Sequence, residues 1–162
     1  METVAFYWES RIKTYGFQTM TDLALIEFSC PLGEIESLGQ ILSKDDLQML
    51  RPRFIIAQEL DQKISFVLCL SGKEGKEFHA CLEKTPGPTP HRYIHPVGII
   101  FFHGPHFGDR YGIADATFST LSRAEIRVMA SGCSSSSIYL VLVQDDMDKA
   151  ERVLGETFEV AT

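Results

Sequence analysis

Apolar positions along this chain fall into short runs and helical stripes that alternate in a fixed order. Leu23-Ala-Leu-Ile-Glu-Phe28 is an apolar run of strand length, followed by the loop Ser29-Cys-Pro-Leu-Gly33. Ile35, Leu38, Ile41 and Leu42 then recur at helical spacing. Arg53-Phe-Ile-Ile-Ala-Gln58 predicts a strand, Leu60-Asp-Gln62 a turn, and Lys63-Ile-Ser-Phe-Val-Leu-Cys-Leu70 the next strand. Phe78, Cys81 and Leu82 mark a helix whose start, Ser71-Gly72, has the chemistry of a cap.

The same order returns later. Val97-Gly-Ile-Ile-Phe-Phe102 is a strand, and His103 to Gly112 a glycine-rich loop. Ile113, Ala114, Phe118 and Leu121 give a helix face; Glu125–Ser131 alternates as a half-buried strand. Gly132-Cys-Ser-Ser135 is turn material, and Ser137–Val143 another strand. Asp145 and Asp146 favour the positive end of a helix whose buried face is Met147, Ala150, Leu154 and Phe158. Phe158-Glu-Val160 can close as a last strand.

Between the two series stand Pro86, Pro88, Pro90 and Pro96 with Gly87, which break helices and central strands. This stretch reads as the connection between two modules, residues 1–87 and 88–162. Leu23 to Val97 and Ile64 to Ile138 share an offset of 74 residues, the mark of an internal repeat. Each module reads strand–helix–strand–strand–helix–strand, the ferredoxin-like arrangement. The predicted fold class is α+β: two βαββαβ modules with antiparallel sheets and the helices on one face.

Composition sharpens this picture. The 162 residues are 44% hydrophobic and 23% charged, as in ordinary globular proteins. The net charge of −7 divides between the modules as −4 and −3 and leaves no basic arm, which argues against nucleic acid as a partner. Met1 to Arg11 has no apolar core of signal-peptide length, and no run approaches the roughly 18 apolar residues of a membrane helix. The expected location is cytoplasmic.

Cys30, Cys69, Cys81 and Cys133 include no C-x-x-C pair, so zinc-site spacing is missing. Cys69 and Cys81 read as small buried hydrophobes, Cys30 and Cys133 as loop residues. His91, His95, His103 and His106 cluster in sequence, but in a proline-rich stretch and a loop, where solvated histidines are the plain reading. Metal binding by His103 and His106 is the sharper alternative. Ser134 to Ser137 is a serine run with no evident base beside it, and Gly104 to Gly112 is not a phosphate-binding P-loop. No cofactor is implied.

The arrangement, with these residues, resembles the ACT domain family, and most closely the paired ACT modules of aspartate kinases. The likeness rests on Tyr111-Gly-Ile-Ala114, Met129-Ala-Ser-Gly-Cys-Ser-Ser135, Ile138-Tyr-Leu-Val-Leu142 and the acidic-capped helix from Asp145 to Phe158. In the first module Cys30-Pro-Leu-Gly33 and Ile64-Ser-Phe-Val67 match, and Val4–Trp8 falls where the family has a leading strand. The resemblance implies a non-catalytic regulatory module. It would bind a small molecule, an amino acid, where modules meet, and it would work as a homodimer or docked on an amino-acid biosynthetic enzyme.

By position, the implied ligand-binding residues are Ser29, Leu32, Gly33, Ile35 and Gln58 in the first module. In the second they are His106, Asp109, Gly112, Ile113, Ser131 and Gly132. A loop that opens a helix suits a carboxylate, because it offers unpaired backbone N–H groups and the positive end of the dipole. In lysine- and threonine-sensing kinases the strand after the helix faces the ligand with an acidic or amide side chain. The nearest positions here are Ala57 or Gln58 and Arg127; an alanine cannot hold an ammonium and an arginine repels it. Two other classes compete: a ligand-free association scaffold, and an acylphosphatase-type hydrolase using Arg110 beside the glycine-rich loop.

Overall fold

The computed structural model describes residues 11–43, 50–105, 107, 108 and 110–160. Its elements are β1 (Ile12–Thr14), β2 (Phe17–Pro31), α1 (Ile35–Leu42), β3 (Phe54–Leu60), β4 (Lys63–Ser71) and α2 (Gly72–Glu83). They continue as β5 (Thr89–His103), α3 (Ile113–Arg123), β6 (Val128–Cys133), β7 (Ser137–Val143), α4 (Met147–Thr157) and β8 (Phe158–Val160). The predicted strand–helix–strand–strand–helix–strand order is complete in the second half; among the described residues of the first half no strand follows α2, and the next strand, β5, begins at Thr89. The proposed leading strand Val4–Trp8 lies outside the described residues.

The two sets of strands merge into one six-stranded antiparallel sheet of order β3-β4-β2-β5-β7-β6. Its centre is a pair of long strands, β2 and β5, of 15 residues each. The later part of β2 pairs with β4 on one side and with the start of β5 on the other. Its beginning, Phe17–Met20, pairs with Phe102–Ile99 at the end of β5, which in turn pairs with β7.

Two findings differ from the sequence reading. The prolines do not exclude a strand: β5 runs through both Pro90 and Pro96. Proline removes a donor, which matters only where that donor has a partner. β5 pairs with β7 only from Val97 onward, so both prolines fall where its far side is unpaired, and the register slips around Pro96. The closing strand β8 forms as expected but pairs in parallel with β1, Ile12 opposite Phe158. The place beside β5 is already held by the start of β2.

Strand alternation sorts the side chains into layers. Ile26, Phe28 and Cys30 of β2 face α1 and α2, packed with Leu38, Leu68, Leu70, Phe78 and Leu82. Ile100 and Phe102 of β5 face α3 and α4, packed with Leu121, Leu140, Leu142, Met147, Ala150, Leu154 and Phe158. The faces read from spacing for α2 and α4 are largely the packed ones, whereas of the α1 face Leu38 is buried and Ile35 and Leu42 are exposed, and of the α3 face Ala114 is exposed. Gly98 lets α4 come close: a Cβ there would lie 2.6 Å from the Met147 sulfur.

The helix-free face carries a third cluster. Leu23, Leu25, Cys69, Val97, Ile99 and Val141 pack there with Phe54. Phe54 sits on the edge strand β3, yet its ring lies 6.5 Å from that of Tyr139 on β7, near the opposite edge. The sheet is thus curled, and its helix-free surfaces face each other across this cluster. The register between β2 and β5 shifts between Met20 and Leu25, the level at which Asp22 has φ of +57° and the His95–Pro96 peptide is cis. His95 Nε2 lies 3.1 Å from Asp22 Oδ1, and the Asp22 N–H donates to Gln144 Oε1 at 2.7 Å.

Candidate functional site

The β2–α1 connection is a 3-10 turn, Leu32–Glu34, with no side-chain cap on the preceding Pro31. Leu32 and Ile35 are exposed, as is Gly33. The Leu32 N–H, one of the donors a ligand carboxylate would use, donates instead to the Gln62 carbonyl at 2.9 Å. The loop is therefore tied to the β3–β4 turn. Ser29 is buried within β2. Ser29 and Gln58 both stand opposite Ser65 in the ladder, on one face of the sheet and two strands apart, or about 10 Å. So the structure brings Ser29 and Gln58 to one face, with Leu32, Gly33 and Ile35 at the strand's end.

In the second half, Gly112 occupies the N-cap of α3 with φ of +85°, a left-handed conformation that favours glycine. Ile113 is part of the core. Its side chain is thus unavailable to a ligand, and its contribution is limited to backbone. The loop before α3 rides beside the β6–β7 turn, where a Cβ on Gly108 would lie 3.0 Å from the Ser135 carbonyl oxygen. Loop and hairpin turn are neighbours in both halves. Ser131 and Gly132 lie in β6, and Gly132 abuts Phe54 of β3: a Cβ there would sit 3.1 Å from its ring. His106 and Asp109 lie outside the described residues.

Of the pair His103 and His106, only His103 is among the described residues. Among the described residues no group of three or more metal-ligating side chains forms. His95 turns to Asp22. His103 packs against the rings of Phe101 and Tyr15, at 5.5 and 5.2 Å, with its Nδ1 buried and without a hydrogen-bond partner. Arg110 donates to the Arg11 carbonyl at 3.2 Å, so the guanidinium is engaged. The serine run closes a turn in which Ser134 N–H donates to the Ser137 carbonyl.

Cys30 corrects the sequence reading: it belongs to β2, not to a loop, and is fully buried. Burial, with Glu34 adding, raises its thiol pKa, so it is the protonated form that stands there. Cys133 corrects the sequence reading likewise: it is the last residue of β6 rather than a loop residue, and it is exposed.

Sequence reasoning missed a cleft of about 400 Å3 between the two outer strands, lined by Arg53, Phe54 and Ile56 of one half and Gly132, Cys133 and Tyr139 of the other. No local pattern announces it, because it arises from the curl of the whole sheet. Among the described residues no helix is long and apolar enough to cross a membrane.

No protein-family model matches the chain, nor does any curated protein. Solved structures do. The regulatory subunit of aspartate kinase from Thermus thermophilus, in its ligand-free form, superposes with a TM-score of 0.73 at 14% identity, over 90% of this chain and 99% of that one. A chain of the aspartokinase α and β subunit structure gives 0.72 at 17%, over 89% and 97%. E. coli aspartokinase III in complex with lysine and aspartate gives 0.57 at 13%, over 94% of this chain but only 35% of that one. The order, layers and pairing described above are therefore those of a known architecture: this chain has the fold of the paired ACT regulatory regions of aspartate kinases.

Proposed function

We propose that this chain is a non-catalytic regulatory unit of two modules, 1–87 and 88–162, that binds an amino acid at the loops opening α1 and α3. Binding biases the relative placement of the modules, and through it association with a second copy or with an amino-acid biosynthetic enzyme. Only a ligand with unequal affinity for two arrangements can do this. The observation that carries the reading is the match, over nearly the full length of both chains, to a regulatory subunit that is a separate chain. Aspartokinase III, of the same fold, has been solved with lysine and aspartate. The engaged Arg110 weighs against the hydrolase alternative.

The test is a thermal-shift screen of the twenty amino acids. A true ligand at a hundred times its Kd adds about 2.7 kcal/mol of stability. A Cβ on Gly33 would meet nothing within 4 Å. Gly33→Asp therefore folds normally, and its carboxylate repels that of the ligand and weakens binding about tenfold. If no amino acid raises Tm, the second reading stands instead, that of an association scaffold. It draws on the exposed Ile55 and Leu60 along the free edge of β3.

A further inference from the structure

Between α1 and the first half of the sheet lies a cavity of about 250 Å3. An apolar cavity of about 150 Å3 is enough to take up benzene. Every described residue of its lining is apolar. Phe28, Leu38, Leu68 and Phe78 form its buried wall. Phe66 stacks on Phe28 at 4.8 Å, and Phe78 meets Phe28 edge-on at 5.7 Å. Leu42 and Ile55 are 39% and 59% exposed and form the mouth, between the end of α1 and the edge strand β3.

The internal repeat shows what this space takes. Phe28 and Phe102 stand 74 residues apart, the offset of the repeat, and each faces the helices of its own half. Around Phe102 the second half places three rings, those of Phe17, Phe107 and Phe158. Around Phe28 the first half places two rings and a cavity. The loop before α3 supplies the ring of Phe107, while the turn before α1, Leu32–Glu34, has no aromatic residue to supply. A ring is missing where the wall is built of rings.

We propose that this cavity binds an uncharged, apolar compound of one ring or two fused rings, packed against Phe28, Phe66 and Phe78. Such a guest gains burial and ring contacts with no polar group to desolvate. A charged or hydrogen-bonding compound is disfavoured, since its polar atoms find no side chain to pair with. The site goes beyond the proposed function: it shares no residue with the positions assigned to the amino acid, and its ligand carries no carboxylate. Leu38 is the one buried residue among the described side chains of α1. A seated ring fills the space between Leu38 and the sheet and so fixes that helix.

The probes are indene and benzimidazole, flat bicyclic compounds of one size, the second with two polar ring nitrogens. Both are uncharged in mildly alkaline buffer. Calorimetry gives the affinity and methyl NMR the place. Indene is expected to bind at least about tenfold more tightly than benzimidazole. It should shift the methyl signals of Leu38 and Leu68 and leave those of Leu140 and Leu142, in the second half, unchanged. Leu38→Phe supplies the missing ring from the chain itself, and is expected to raise Tm and weaken indene at least about tenfold. Leu42→Gln, at the exposed mouth, keeps the fold even if Leu38→Phe does not, and is expected to weaken indene about threefold. Four results overturn the proposal: no binding of indene to the wild type, equal affinity for the two probes, methyl shifts confined to the second half, or undiminished binding to a folded Leu38→Phe. Gly33→Asp is expected to leave indene binding unchanged. Loss of amino-acid binding in that variant counts for the loop site alone, so the two sites fail separately.

Discussion

The two halves of the sheet are covered by helices in unlike ways. In the second half Phe102 lies fully buried with the rings of Phe17, Phe107 and Phe158 at 5.1, 5.7 and 5.2 Å. In the first, α1 has only eight residues, about 12 Å of helix, and exposes Ile35 and Leu42. Beneath it an apolar cavity of about 250 Å3 remains, lined by Phe28, Leu38, Leu50, Phe66 and Phe78 among others. The first half secures its other helix differently. Ser71 accepts from the Glu74 N–H while the Glu74 carboxylate accepts from the Ser71 N–H, a capping box at the start of α2. The corresponding start of α4 has a 3-10 turn and no side-chain cap. Phe28 meets the rings of Phe66 and Phe78 at 4.8 and 5.7 Å, so both halves have ring packing; the first differs in its capping box and its loosely covered sheet. The loose half is the one better able to adjust when something binds.

The largest test of this contrast is Phe102→Ala. It removes the hub of the ring cluster and is expected to cost about 3–5 kcal/mol in urea unfolding. Phe28→Ala, beside an existing cavity, leaves a void in a layer that is already incomplete. If it costs as much, the halves are equally well packed and the comparison breaks.

A second test addresses the layer the halves share. Burial pushes the Cys69 thiol up to about 12 from an unfolded value of 9.0. The folded pKa is the higher one, so the stabilisation is whole below pH 9 and disappears as pH rises toward 12. The unfolded chain ionises across that window and the folded one does not. Stability should fall by about 1.4 kcal/mol per pH unit there, and Cys69→Ala should remove that share of the slope. An unchanged alkaline limb would mean that water reaches the shared layer.

The smallest effect belongs to the cap. Ser71→Ala is expected to cost about 1 kcal/mol, and Asp146→Ala, at the uncapped α4, close to nothing. The Ser71 hydroxyl is also the main cause of a lowered Glu74 pKa. A lowered carboxylate stabilises the fold above its ordinary pKa and ceases to do so as pH falls through the lowered value. The cost of Ser71→Ala should therefore shrink at acid pH, as monitored by circular dichroism melts.

Much of this architecture was legible in the chain because it is local. The stripe Met147, Ala150, Leu154 and Phe158 is buried as its spacing requires, and Ser71 caps as its chemistry requires. What escaped was long-range. Nothing near Pro96 says that β5 will lack a partner on that side, so its prolines read as a break. Nothing near Phe158 says that Ile12–Thr14 will be its neighbour. The candidate residues divide along the same line. Gly112 was legible only as part of a glycine-rich loop, its left-handed cap emerging with the fold, whereas Ile113 was legible both as helix face and as ligand position, and the structure keeps its side chain in the core. Phe54 and Gly132 lie far apart in sequence and meet across a gap made by curvature.

The pairing of β2 with β5 along nearly their whole length has a last consequence. The stretch from Lys84 to Pro88 joins the halves covalently, yet it carries no strand of the sheet. A protease that cut there would sever one peptide bond and leave every rung between Phe17–Ser29 and Thr89–Phe102 in place. The products would remain a non-covalent pair, each supplying a strand that the other's sheet needs. Fragments made separately at this point should therefore refold best in each other's presence.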